Sequence, residues 1–264
     1  MSHAETPAPI DPRWDYSLQA EYYRYRPNYA PAALTHLVAQ VDARRRGFVT
    51  ADVGAGTGNL SKLLVEQGVR PVVAIEPNQE MRRRGQEATR GEPVVWVDGT
   101  GEVTHLADEA VDWFAMGSSF NTTDRPRCLA EAQRVLRAGG WFTCMWNHRE
   151  LERDEAQAQV EAVIRRHVPG YTHGTRREDQ TAVIVDSGRF DPPSLLEVEQ
   201  EVTRTLDEYL LAWRSVKNPH WDLSTPAGQA LFEAICADVR AELGPHSELR
   251  MVYTTRAWTA QVRK

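Results

Sequence analysis

The sequence predicts an α/β protein with a Rossmann-like, seven-stranded, mostly parallel sheet and helices on both faces. Three observations carry that prediction. Short apolar runs alternate with helical stretches between residues 48 and 147. A glycine-rich turn, GAGTGN, joins the first of these runs to the helix behind it. After residue 150 the rhythm changes, and two alternating runs read as antiparallel edge strands around a helical insertion. Strands separated by helices of roughly ten to fifteen residues form βαβ units, which build parallel sheets covered on both faces.

Taken in order, the chain opens with a tail and then a short helix at 15–25. In PAALTHLVAQVDARR, residues Leu34, Leu37, Val38 and Val41 make one apolar helical face, with Pro31 at its start. FVTADV (48–53), PVVAIE (71–76), VVWV (94–97), AVDWFAM (110–116) and WFTCMWN (141–147) read as five core strands. The helices NLSKLLVEQG, NQEMRRRGQEAT and 125–138 fall between them, the last ending at Gly139-Gly140 as a helix stop. A helix at 152–167 then turns Val160, Val163, Ile164 and His167 to one side, and VPGYTHGTRREDQT reads as loop. LLEVEQEV (195–202) alternates, with Leu196, Val198 and Val202 on one face. Two helices, LDEYLLAWRSV and PAGQALFEAICADVRAEL, precede a final strand at 249–262. The expected organisation is a covering segment (1–30), a nucleoside-binding core (31–150), a helical cap that includes strand 195–202 (151–245), and a closing strand (246–264).

Composition narrows the class. Net charge is −6, and no basic stripe with interleaved aromatics occurs, so nucleic acid is not an expected partner. The apolar runs are about a strand long, short of the ~20 residues of a membrane span, and no membrane partner is expected. MSHAETPAPIDPRW is polar and lacks an apolar export region. Three scattered cysteines without a CxxC pair suit a reduced, cytoplasmic setting. No His, Cys and carboxylate spacing points to a metal.

The strongest chemical signal is ADVGAGTGNLSKLL. A strand, a glycine turn and a helix in succession aim backbone N–H groups at a ligand. Gly54, Gly56 and Gly58 are spaced G-x-G-x-G, and Asn59 stands where a dinucleotide loop needs its third glycine. The Gly-Lys-Ser/Thr of a phosphate loop is absent too. The loop therefore suits a nucleoside without a pyrophosphate, and Glu76, closing the second strand, can accept from both ribose hydroxyls.

DVGAGTG, AIEPN and RVLRAGG together resemble the class I S-adenosylmethionine (SAM)-dependent methyltransferases. YYRYRPNY and YTTRAW are similar to a small-molecule branch that includes trans-aconitate-methyltransferase-like proteins. The resemblance implies SAM as cofactor, with Asp52 orienting the loop and Gly54, Ala55 and Gly56 passing the methionine moiety. It places Glu76 on the ribose, Pro77 and Met81 near the adenine, and Gly101 and Glu102 at the adenine border. Tyr22, Tyr25 and Arg26 resemble a segment folding over the cofactor, with Tyr25 expected in catalysis and Arg26 toward the SAM carboxylate.

GSSFNTTD (117–124) follows the fourth strand, where an open α/β sheet binds its ligand. The segment is expected beside the sulfonium, with Ser118 on the cofactor, Asn121 in catalysis and Phe120 against the acceptor. Relatives often carry a histidine here, and Phe120-Asn121-Thr122 replaces it. The remaining candidates for proton transfer are His148, Tyr171 and His173, and Tyr171, His173 and Trp213 are expected to line the acceptor pocket. The resulting reading is a methyltransferase for a small-molecule acceptor of secondary metabolism, transferring methyl in line. Two alternatives stand beside it: a cyclase turning SAM into azetidine-2-carboxylate and methylthioadenosine, and a non-catalytic SAM-binding protein.

Overall fold

The structure, a computed structural model, describes residues 14–172, 177–218, 220–244 and 248–264. Its centre is one seven-stranded sheet in the order β3-β2-β1-β4-β5-β7-β6. The strands are β1 (Thr50–Val53), β2 (Val72–Ile75), β3 (Val94–Val97), β4 (Val111–Gly117), β5 (Leu136–Arg149), β6 (Ser194–Thr205) and β7 (Glu248–Gln261). β1 to β5 pair in parallel, whereas β7 runs antiparallel to both β5 and β6. The order reverses at β1, between β2 and β4, which is where such sheets open a crevice for ligands.

The helices begin where the sequence supplies caps. α1 (Pro31–Gln40) has proline in its first turn, and α2 (Asn59–Glu66) starts from Gly58. Asn78 caps α3 (Gln79–Ala88), Asp124 caps α4 (Arg125–Val135), and Asp154 caps α5 (Glu155–His167), each by accepting a backbone N–H. α6 (Thr181–Asp186) lacks such a cap. α7 (Leu206–Arg214) opens with a reciprocal capping box between Thr205 and Glu208, and Thr225 caps α8 (Pro226–Leu243).

Three apolar clusters divide the interior. One covers a face of the sheet, where Leu129, Ala132 and Val135 of α4 and Ile184 of α6 meet Phe114, Phe142 and Trp258. The opposite face packs Leu34 and Leu37 of α1 and Leu60 and Leu64 of α2 against Val72, Trp113 and Ala257. Burying each such side chain fully contributes about 1.5–3 kcal/mol. The third cluster belongs to the cap: α5, α7 and α8 surround Leu249, Met251 and Tyr253, the first half of β7.

Several boundaries differ from the sequence reading. The helix expected at 125–138 ends at Val135, and Leu136 already pairs with Val111 in the sheet. Gly139-Gly140 therefore lies within β5, beside a register shift, rather than stopping a helix. Gly140 sits so close to Asp112 O that a Cβ would approach within 3.0 Å, which is why glycine occurs there. The helix expected at 15–25 is a 3-10 helix confined to Ala20–Tyr25. α6 starts at Thr181, the last residue of the stretch read as loop, and its Ile184 buries fully.

Candidate active site

The cofactor side grows from the end of β1. Gly54 and Ala55 both donate their N–H to Ile75 O, at 2.9 and 3.0 Å, folding the loop back onto β2. Gly54 has φ +70°, and a Cβ there would lie 2.5 Å from Ser119 Cβ, so only glycine lets the two loops touch. Glu76 is buried, and its two oxygens accept from Gly56 N (2.8 Å) and Asn78 N (2.9 Å). Burial pushes its carboxyl up to about 7, against the opposing pull of those bonds and of Arg82. Asp52 accepts from Ser61 Oγ at 2.6 Å, and burial raises it to about 6. Its second oxygen, Oδ1, is buried without a hydrogen bond.

These residues line one cavity of about 500 Å³ together with Pro77, Met81, Thr100 and Gly101. A Cβ on Gly56 would intrude between Met81 and Tyr23, at 3.6 and 3.7 Å. An orphaned carboxylate oxygen and a loop edge free of side chains suit a ligand that brings hydroxyl or ammonium donors. The nearby Arg82 is bonded to Glu76 O and Asp98, as expected for a site that receives no pyrophosphate.

The loop after β4 uses its polar groups partly on neighbouring elements and partly on itself. Ser118 adopts φ +58°, donates its N–H to Met145 O at 2.8 Å, and shares a 2.9 Å hydrogen bond with Tyr29 OH. A Cβ on Gly117 would lie 2.7 Å from that phenol oxygen, so glycine admits the tyrosine. Burial raises the Tyr29 phenol to about 12. Thr122 and Thr123 hydroxyls close onto Ser119 O and Phe120 O. Asn121 faces the cavity, and Trp146 Nε1 donates to its Oδ1 at 3.0 Å, leaving the amide NH2 end to the cavity.

The two terminal motifs are one structure. Asn147 Nδ2 donates to Pro27 O and Asn28 O, and Thr255 Oγ1 donates to Asn147 Oδ1 at 2.6 Å. The same hydroxyl accepts Ala30 N at 2.8 Å. YYRYRPNY is thus clasped to YTTRAW across β5, and the clasp brings Trp14, Tyr16, Tyr23 and Tyr29 to the cavity wall.

The wall's far side comes from the cap. Tyr171, Tyr209, Trp213 and Tyr253 line it with Arg149, Arg177 and His148. Arg256 Nη1 lies 3.3 Å from His148 Nδ1. A guanidinium can only donate, so Nδ1 accepts and the ring proton sits on Nε2. His148 is therefore held from the Nδ1 side by Arg256.

Among the expected site residues, Asn121, His148, Arg26, Asp52, Gly54, Ala55, Gly56, Glu76, Pro77, Met81, Gly101, Ser118, Tyr171 and Trp213 all line the cavity. Four do not. Phe120 is fully buried in the sheet core, 5.4 Å from the Phe142 ring, and cannot touch an acceptor. Glu102 turns away to accept Asp124 N at 2.7 Å. Tyr22 and Tyr25 stand together on the wrong face. A 3-10 helix has three residues per turn, so Tyr22 aligns with Tyr25, and Tyr23 aligns with Arg26 on the cavity side. Tyr22 lies under Arg214, and Tyr25 OH accepts from Arg24. Arg26 reaches the cavity but bonds Ser215 through Nε and Nη2 and covers the Tyr23 ring, so these nitrogens are not offered to a carboxylate. His173 lies outside the described residues. Tyr23, Tyr29, Asn147, Arg149 and Tyr253 were not anticipated. A three-residue phase for YYRYRPNY would have selected Tyr23.

A glycine loop and two buried carboxylates lie at the carboxyl ends of a parallel sheet, where open α/β sheets take their ligands. Residues 51–144 match the family model described as a methyltransferase domain. An uncharacterized methyltransferase of Mycobacterium tuberculosis is 38% identical over 129 residues, 49% of this chain and 50% of that protein. The ubiquinone/menaquinone biosynthesis C-methyltransferase UbiE of Acidiphilium cryptum is 34% identical over 113 residues, 41% of this chain and 45% of that one. The chain spans about half the length of the curated relatives it matches. A solved structure, a candidate type II methyltransferase from Anaeromyxobacter dehalogenans, shares the fold with a TM-score of 0.59 at 23% identity. That likeness covers 89% of this chain and 97% of the other. The 4+2 cyclase SpnF shares it at 0.51 and 17% identity, over 90% and 84%. Residues 51–144 thus carry the pattern of a methyltransferase domain, on a fold shared with the solved structures.

Proposed function

We propose that this chain transfers a methyl group from SAM to a small-molecule acceptor. The observation that carries the reading is one continuous cavity, which the glycine loop lines at one side and the cap at the other. Its volume of about 500 Å³ falls in the range of small-molecule sites. The narrower resemblance to trans-aconitate-methyltransferase-like proteins rests on the two terminal motifs alone.

SAM would supply a methyl group already activated as part of a sulfonium. The chain's own task is then to bind, align and dry the reactants. Glu76 and Asp52 Oδ1 would accept from the cofactor's donors, and Gly54, Ala55 and Gly56 would pass its backbone-hugging arm. Asn121, its amide fixed by Trp146, offers NH2 as a donor. Tyr29 keeps its proton through neutral pH because burial holds it near 12. A cavity furnished with donors suits an acceptor whose lone pair is free at neutral pH, such as an amine or carboxylate.

The test is incubation of the full chain with SAM and candidate acceptors, followed by mass spectrometry. Acceptor-dependent S-adenosylhomocysteine is expected. Methylthioadenosine from SAM alone would replace the reading with self-cyclisation, and binding without turnover of any acceptor would replace it with a sensor. Asn121→Ala should slow turnover about tenfold or more while S-adenosylhomocysteine binding changes less than about twofold, as loss of a transition-state contact does.

A further inference from the structure

The cap end of the cavity carries positive charge that methyl transfer alone does not use. Arg149, the last residue of β5, lays its guanidinium over the Trp213 ring at 4.7 Å. Its Nη2 bonds Glu161 Oε2 at 2.8 Å, but its Nη1 is buried without a hydrogen bond. The Tyr209 hydroxyl, on a residue only 3% exposed, lies near the Arg149 and Trp213 side chains, which can only donate to it, so its own O–H has no acceptor. Both side chains line the cavity. Two unmatched donors in one dry wall are costly to the protein unless a ligand answers them.

The surrounding charges do not balance. Arg177, also on the wall, donates to Arg149 O at 2.7 Å. Glu161 is shared between Arg149 and Arg165, so among the described residues three guanidiniums face two carboxylates, Glu161 and Glu150. Asp154 is bonded instead to Gln157 and Val252 N, and Glu150 bears on Arg177 from a distance. Burial first, and then the Arg149 charge, lower the pKa of Arg177.

We propose that this end of the cavity is a recognition subsite for the carboxylate of a ring-bearing acceptor, held by Arg149 Nη1 and Tyr209 OH. The planar group has two oxygens for two donors, and charge-assisted bonds of this type are the strong ones. A phosphate dianion has more oxygens than the wall has donors. The rings of Tyr171, Trp213 and Tyr253 supply flat apolar walls for the rest of the molecule. This deepens the methyltransferase reading and rests on it only in naming the ligand an acceptor.

The probes are phenylacetate and its neutral amide, phenylacetamide, titrated into the full chain by calorimetry with and without saturating S-adenosylhomocysteine. Phenylacetate should bind at least about tenfold more tightly than the amide. Arg149→Gln should abolish that preference, and Tyr209→Phe, which keeps the ring, should cut it about threefold or more. The subsite is overturned if acid and amide bind alike, if both variants keep the preference, or if neither probe binds up to about 10 mM. S-adenosylhomocysteine binding is read separately. Its loss in the unaltered protein would defeat the methyltransferase reading while leaving the carboxylate preference to stand or fall alone.

Discussion

The two sides of the cavity are built on different principles. On the cofactor side, four-residue strands β1 and β2 end in a loop whose polar groups bond to adjacent backbone. Glu76 meets Gly56 and Asn78, and Asp52 meets Ser61, all close in sequence. On the acceptor side, the wall is assembled from β5, β7, α7 and the segment after α5. Its contacts span long sequence separations, and Arg149 Nη1 and Tyr209 OH are left unmatched. The contrast teaches that one side is drawn from a short stretch of chain and the other from distant segments, while each leaves buried polar atoms for a ligand to answer.

Gly54→Ala should break the cofactor side most severely. The new methyl meets Ser119 at 2.5 Å, and φ +70° strains any side chain. We expect S-adenosylhomocysteine affinity to fall at least about a hundredfold by calorimetry, from combined strain and overpacking. An affinity within threefold of the parent would show that the loop has more freedom than its contacts imply.

Thr255→Val tests the seam between the sides. It removes the bond to Asn147 and leaves Ala30 N buried and unmatched, which costs about 1–3 kcal/mol. Calorimetric melting should shift down by roughly 2–10 °C for a chain of this size. An unchanged melting temperature would mean the clasp adds nothing to stability.

The smallest effect concerns pH. Glu76 and Asp52 bind a proton more tightly folded than unfolded, because burial raises both. Their stabilising contribution is full below about pH 4 and is lost as pH rises through about 6 and 7. Glu76→Gln should therefore flatten the decline in melting temperature of the ligand-free protein between pH 4 and 8. Parallel curves for parent and variant would place the titration elsewhere.

The sheet order and the glycine loop were legible because their signals are local. Gly54, Gly56 and Gly58 lie within five residues, and each core strand announces itself as an apolar run. Phe120 was misread because position in the loop does not reveal which way a side chain turns, and its ring went to Phe142. Tyr22 and Tyr25 were chosen over Tyr23 because a 3-10 helix changes the phase of a short aromatic run. Arg149 was invisible for another reason. Its significance depends on Trp213 and Glu161, which only the packed cap brings beside it.

β7 gives one more lesson, about parity. Met251, Tyr253, Thr255 and Ala257 all point to the same side of that strand and all are buried. Yet they serve three neighbourhoods: the cap interior, the clasp on the N-terminal segment, and the helix-covered face of the sheet. A slip of one residue would present Arg250, Val252, Thr254 and Arg256 to all three at once. Cap, clasp and core are therefore read in a single frame, and an error in that frame could not be confined to any one of them.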